Sequence, residues 1–296
     1  MTKRHLDQRI INLYDHFTHG GISRRAFFDE LAKLAGSTAA ATALLPLLQN
    51  DYAKAAIVPD NDARLVSERV SFESPKGKIG GYLTRLAAKG KRPAVLVIHE
   101  NRGLNPHLED VARRLALDGF LALAVDLLSL VGGTPPNEDD ARTLHTKLNI
   151  DDALVALVSA VEFLKKNPES TGKVGAVGFC FGGGMVNRLA VASPDLDAGV
   201  AYYGPQPPAA LVPNIKASLL LHYAGNDAGI NAGIPAYEAA LKASNKTFTL
   251  YVYPDVQHAF NNDTGAARYN KEAADLAWGR TLAFFKENLG APPKAS

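Results

Sequence analysis

From about residue 64 onward, short apolar runs alternate with stretches of helical periodicity. The short runs predict strands at Arg69–Phe72, Gly80–Arg85, Ala94–His99, Leu121–Asp126, Lys173–Gly178, Gly199–Tyr203, Ser218–Tyr223 and Thr247–Tyr253, each bounded by Gly, Pro or a polar cluster. Runs such as AVLVI and SLLLHY are apolar throughout and suit a parallel sheet covered on both faces. The first two strands alternate more and suit an antiparallel edge. Helical periodicity appears at His107–Asp118, Ile150–Lys166, Gly183–Ala192, Pro235–Ala243 and Lys271–Leu289, with Pro106 and Pro235 near the starts of two of them. Strand alternating with helix predicts an α/β fold: an open, twisted, mostly parallel sheet of about eight strands flanked by helices. No repeat and no low-complexity linker follows residue 60, so residues 57–296 read as one domain.

The first 56 residues carry a different pattern. Leu34–Leu48 is an uncharged, Ala- and Leu-rich run of fifteen residues, preceded by Ser23-Arg24-Arg25-Ala26-Phe27-Phe28 and followed by the small-x-small sequence Ala53-Lys54-Ala55. That order resembles a bacterial export signal of the twin-arginine type, which would direct a folded protein to the periplasm. Asp29 and Glu30 interrupt the approach to the apolar run, and Leu13, Tyr14 and Phe17 suit an amphipathic helix. The other reading is therefore a helical arm, packed on the domain of a cytoplasmic protein or on the second subunit of a homodimer. Fifteen residues are too few for a stable membrane span, which takes about 20.

Composition narrows the function classes. With 47% hydrophobic and 21% charged residues, the chain of 296 residues is neither disordered nor charge-dominated. A net charge of +2 argues against nucleic acid as a partner, because phosphate neutralisation takes a clustered excess of Lys and Arg. One cysteine excludes an intrachain disulfide and any Cys-rich metal centre. No metal-ligand spacing joins the histidines after residue 56, and no cofactor is expected.

The candidate chemistry starts at Lys173–Gly184, KVGAVGFCFGGG. Gly178-Phe179-Cys180-Phe181-Gly182 has the form G-x-nucleophile-x-G between an apolar strand and a helical stretch. A sharp strand-to-helix turn exposes its central residue, and small residues two positions to either side let strand and helix approach closely. The thiol would then sit at a helix N-terminus, where partial positive charge favours thiolate. The alternative is a small buried hydrophobe.

Two histidines follow Cys180 in the chain. His222 lies inside SLLLHY and reads as a packed strand residue, whereas His258 sits in a loop after TFTLYVYP and can reach across strand ends. Asp227 directly follows SLLLHYAGN, and Asp255 and Asp263 are competing acids. Cys180, Asp227, His258 is the nucleophile–acid–base order of α/β-hydrolases. After the strand AVLVI, the loop His99-Glu100-Asn101-Arg102 can supply one oxyanion-hole N–H from Asn101, the other coming from Phe181. Glu100 and Arg102 would be opposite charges in a partly dehydrated cleft, or simply a solvated loop pair.

These segments, GFCFGGG, HENRGLN, GND and the histidine of VQHAF, in this order and spacing, resemble the dienelactone hydrolase family over about residues 66–290. The resemblance implies an α/β-hydrolase fold and hydrolysis of carboxylic esters or enol-lactones through a Cys180–Asp227–His258 triad and a thioester. It implies that Glu100 holds the resting thiol protonated and swings toward an arginine when substrate arrives. Arg142 is the nearest match for the family arginine that meets the substrate carboxylate, with Arg102 as alternative. Tyr202-Tyr203-Gly204 matches a family segment near the pocket, and core packing is an equal reading for Tyr203. Two departures from small catabolic members, the long N-terminal segment and Leu127–Lys147, leave the ester undefined. A general carboxylesterase or thioesterase, or a non-catalytic redox or binding protein using Cys180, stays open.

Overall fold

The computed structural model describes residues 6–52 and 56–292, so Ala53-Lys54-Ala55 of the export-like pattern lies outside the described residues. The strands are β1 (Leu65–Ser74), β2 (Gly77–Leu86), β3 (Arg92–Ile98), β4 (Leu121–Asp126), β5 (Ser170–Phe179), β6 (Ala198–Tyr202), β7 (Ser218–Asn226) and β8 (Phe248–Gln257). They form one eight-stranded sheet in the order β1-β2-β4-β3-β5-β6-β7-β8. The pairs β1–β2 and β2–β4 are antiparallel, and every pair from β4 across to β8 is parallel. This matches the predicted parallel sheet with an antiparallel edge.

The continuous apolar runs have a direct cause. Along β3, Ala94, Leu96 and Ile98 enter one hydrophobic cluster while Val95 and Val97 enter the other, so both faces of the strand are covered. Helices α6 (Ile150–Lys166), α7 (Phe181–Ala192) and α9 (Ile234–Ala243) bury residues in the first cluster. Helices α4 (Pro106–Leu117) and α10 (Lys271–Leu289) cover the other face. Asn105 caps α4 by accepting from the Leu108 N–H at 3.2 Å, with Pro106 in the first turn, where its missing N–H costs nothing.

Two further helices lie outside the predicted set. α5 (Glu138–His145) falls within Leu127–Lys147; it fully buries only Ala141, and with Leu144 as its one other packed apolar residue its apolar stripe is too short to read. α8 (Ala228–Asn231) is a single turn capped by Asp227. α7 begins at Phe181 rather than Gly183, because the three glycines at its start disguise a helix held by tertiary packing.

The N-terminal residues form three helices, α1 (Gln8–Thr18), α2 (Arg24–Ala35) and α3 (Thr38–Leu48), with α2 and α3 capped by Ser23 and Ser37. Ile10, Tyr14, Phe17, Phe27, Leu31, Ala41 and Leu48 make a small core of their own. Polar contacts tie this arm to the sheet domain. Gln8 and Gln257 exchange amide hydrogen bonds at 2.8 and 2.7 Å, Arg268 pairs with Asp15 at 3.1 Å, and Arg24 pairs with Asp139 at 2.6 Å. Among the described residues no single helix is long and apolar enough to cross a membrane; α2 and α3 reach that length only together, and they meet at 111°.

Candidate active site

The chain leaves β3 toward β4 on one side and later returns to β5 on the other, so the crevice at the carboxyl ends of β3 and β5 is where the strand order reverses. The Glu100 loop follows β3 and Cys180 follows β5. Cys180 has φ 55° and ψ −115°, a backbone conformation that side chains rarely adopt. The strain is held by its surroundings. The Cys180 N–H donates to the Tyr202 carbonyl at 3.0 Å. A Cβ on Gly178 would collide with the Gly182 carbonyl, and one on Gly182 with the Ile98 and His99 carbonyls, so both glycines are required by close backbone approach. The Phe181 N–H, in the first turn of α7, has no intrahelical acceptor.

The end of β7 delivers Asp227 and the end of β8 delivers His258. His258 Nδ1 donates to Asp227 Oδ2 at 2.6 Å, and both side chains are nearly buried. His258 Nε2 is buried without a hydrogen-bond partner. It lies with Cys180 Sγ and a nitrogen of His19 in a group whose atoms are all within 4.8 Å of one another. His19 Nε2 is 3.3 Å from Sγ. Burial pushes the Cys180 thiol up, but the positive charges of His258 and His19 and their hydrogen bonding outweigh it and bring it down to about 6. Burial opposes protonation of His258, yet the Cys180 thiolate and the Asp227 carboxylate hold its imidazolium well above the ordinary range.

The competing acids are occupied or remote: Asp263 pairs with Arg114 at 2.5 Å and His107 at 3.1 Å, and Asp255 is exposed. His222 is a core residue, bonded to the Tyr253 hydroxyl at 2.9 Å and the Thr281 hydroxyl at 3.2 Å. His99 braces the loop instead, its Nε2 accepting from the Leu127 N–H at 3.1 Å.

Among the residues of the Glu100 loop, Glu100 Oε2 accepts from Asn262 Nδ2 at 3.0 Å, and Arg102 is turned to Glu138 at 3.3 Å and the Tyr14 hydroxyl at 3.4 Å. The Asn101 side chain donates to the Thr18 carbonyl of the arm at 2.6 Å. Arg142 stacks on Phe17, 3.9 Å from the ring centre, and pairs with Asp139 at 3.2 Å. Tyr203 is fully buried with φ 38°, its ring 4.9 Å from that of His258 and its hydroxyl without a partner. Cys180 opens on a cavity of about 240 Å³ that Arg142, His145, Phe181 and Tyr203 line together with Thr18 and His19 of the arm.

His19 is the residue that sequence reasoning missed. It lies 161 positions from Cys180, and no motif spacing connects them; the amphipathic pattern of α1 signalled only that an arm packs somewhere. With it, the described residues do bring a His–Cys–His donor set together, which the spacing of the later histidines does not reveal.

Comparison with known proteins agrees with this architecture. The family model described as "Dienelactone hydrolase family" matches residues 79–289, and a second, described as "YqhI-like", matches residues 1–37. A protein of Saccharolobus solfataricus named "Putative carboxymethylenebutenolidase" is 30% identical over 259 residues, 75% of this chain and 98% of its own. A crystal structure titled as a dienelactone hydrolase, from Anabaena variabilis, superposes with a TM-score of 0.60 at 26% identity, covering 76% of this chain and 99% of that one. Another, from Klebsiella pneumoniae and titled "Putative Dienelactone Hydrolase", gives 0.69 at 29%, covering 75% and 99%. Sheet order, the turn at Cys180 and these likenesses converge: the chain has the α/β-hydrolase fold and belongs to the dienelactone hydrolase family, enzymes that hydrolyse ester bonds.

Proposed function

We propose that the protein hydrolyses small carboxylic esters or lactones through a thioester on Cys180, with His258 as base and Asp227 as its orienting acid. The observation that carries this reading is the His258–Asp227 bond at 2.6 Å, which leaves Nε2 buried, unpartnered and beside the thiol. Because a carboxylate only accepts, Nδ1 must carry the proton and Nε2 is free to take another.

In the first half-reaction the Cys180 proton passes to His258 Nε2 and the thiolate attacks the carbonyl carbon. The backbone N–H groups of Phe181 and Asn101 are the proposed oxyanion donors, each worth roughly 10²–10³ in rate. The tetrahedral intermediate collapses, the C–O bond breaks and the leaving oxygen takes the proton from His258. A water then gives a proton to His258 and attacks the thioester; the carboxylic acid departs, and the proton returns to sulfur.

The cavity volume of about 240 Å³ suits a compact acyl group rather than a polymer. Arg142 lines that volume and Arg102 does not, which makes Arg142 the better candidate for an anionic substrate. The carboxymethylenebutenolidase name of the relatives points to an enol-lactone as the first substrate to try.

The test is Cys180→Ala. It abolishes hydrolysis of an activated aryl ester and of an enol-lactone while circular dichroism stays that of the wild type, and rapid acid quench of the wild type shows the acyl mass on Cys180. Full esterase activity in Cys180→Ala rejects the reading.

A further inference from the structure

His19 does not belong to the sheet domain that carries the other reacting groups; it follows α1, and its ring stands edge-on to that of His258 with centres 4.8 Å apart. Its Nδ1 is 2.7 Å from the Asp15 carbonyl, an oxygen that can only accept, so Nδ1 carries a proton. Its Nε2 is therefore the nitrogen that meets Cys180 Sγ, at 3.3 Å. Two imidazoles thus present the same nitrogen to one sulfur, each with the opposite nitrogen anchored: His258 on a carboxylate, His19 on a main-chain carbonyl. His19 Nε2 makes the 3.3 Å contact with the sulfur, while His258 Nε2, within 4.8 Å of it, has no other hydrogen-bond partner.

The placement of His19 is built. The Asn101 amide holds the Thr18 carbonyl one residue away, Phe17 is stacked between Arg142 and Phe27, and Asp15 is tied to Arg268. The ring also stands at the boundary of two spaces, the cavity of about 240 Å³ over Cys180 and a wider cleft of about 710 Å³ toward Gln8 and Asp227.

We propose that the N-terminal arm completes the active site, and that His19 is a catalytic residue that takes the resting thiol proton and holds Cys180 as thiolate until an ester displaces it. The step is a proton transfer alone: the S–H bond breaks, an Nε2–H bond forms on His19, and a thiolate–imidazolium pair results with no net change of charge. When an ester enters, the proton returns from His19 to sulfur and passes on to His258 Nε2; sulfur bonds to the carbonyl carbon, the negative charge moves to the oxyanion, and His258 delivers that proton to the leaving oxygen. This role rests on Cys180 being the nucleophile.

The other groups facing the sulfur do not duplicate the role. Glu100 and Arg102 of the β3 loop are taken by Asn262 and Glu138. His145 of α5 is held by burial at about 4, so it stays neutral, and Arg142 beside it is paired with Asp139. Burial raises the Tyr203 hydroxyl far above its ordinary range, which keeps it protonated. The Asp15 carboxylate pairs with Arg268 at 3.1 Å and lies 3.6 Å from His19 Nδ1, where it favours the imidazolium of His19, and the lowered thiol depends on His19 together with His258.

The test is the pH dependence of Cys180 alkylation by iodoacetamide in the full chain, read by intact mass, for wild type, His19→Ala and His19→Gln, with a chelator present throughout. Both substitutions raise the midpoint by at least one on the pH scale, and alkylation measured at pH 5 falls about tenfold for each pH step the midpoint climbs. kcat/KM on an aryl ester falls in parallel, and free imidazole restores part of the loss in His19→Ala. Gln fills the same space but takes no proton, so a raised midpoint in His19→Gln separates chemistry from packing. Wild-type midpoints in both variants overturn the proposal; so does faster hydrolysis on an unmoved pH profile, which would make the arm a plug. If instead Cys180→Ala keeps full esterase activity, the hydrolase mechanism fails while the alkylation midpoints still report on the His19–Cys180 contact.

Discussion

The imidazole of His258 and the carboxylate of Asp227, 31 residues apart in the chain, are joined by a 2.6 Å hydrogen bond in which both partners are almost sealed from water. The bond fixes the tautomer, and that is where it is vulnerable. In Asp227→Asn the amide can offer N–H to Nδ1 and favour the proton on Nε2, the wrong nitrogen for a base. We expect kcat to fall about 10²–10⁴-fold with the thermal midpoint little changed. Steady-state kinetics on an aryl ester, with calorimetry as control, checks this; a loss under threefold would rule out an orienting role.

The thiol titration has a definite direction. With Cys180 lowered to about 6 from an ordinary 9.0, the thiolate fraction climbs as pH rises through about 6 and is flat above it. Alkylation of the wild type should therefore be half-maximal near pH 6. His258→Ala removes the imidazolium with the larger effect on the thiol and moves the midpoint toward the ordinary value. A wild-type midpoint above 8 would contradict the electrostatics described for the site.

Gly182→Ala tests the turn itself. The added Cβ meets main-chain carbonyls of Ile98 and His99, which cannot rotate away as a side chain would, so α7 must shift from the end of β3. Overpacking of this kind costs about 1–3 kcal/mol. Activity should drop much further than stability, because the movement displaces both Cys180 and the Phe181 N–H. A variant with wild-type kcat would show that the close approach is not needed.

Leu31→Ala tests the arm without touching the cleft. Leu31 is fully buried in the arm's own core, and losing it should cost about 2–5 kcal/mol locally. Hydrogen exchange should rise across α1 to α3 while the sheet strands keep their protection. Uniform loosening of the whole chain would mean that arm and domain unfold as one unit.

Most of the frame is legible because periodicity reports what two faces of a strand touch. All eight strands lie where their apolar runs end at Gly, Pro or polar clusters, and Asp227 and His258 can be chosen because each follows such a run directly. α5 is hidden because it buries one alanine and is held by its Asn137 cap rather than by a long apolar stripe. His19 is hidden because its partner is set by how α1 docks. The contacts that dock it, such as Asn101 with Thr18 and Gln8 with Gln257, are isolated polar contacts that leave no pattern in either segment.

Cys180 is the only sulfhydryl in the chain, and it sits where arm and domain meet. A maleimide dye or spin label added to the unmodified protein can therefore attach at one place, with no background labelling to engineer away. Its emission or line shape would report whether the arm stays docked beside the sulfur, so the reacting atom doubles as a reporter of access to itself.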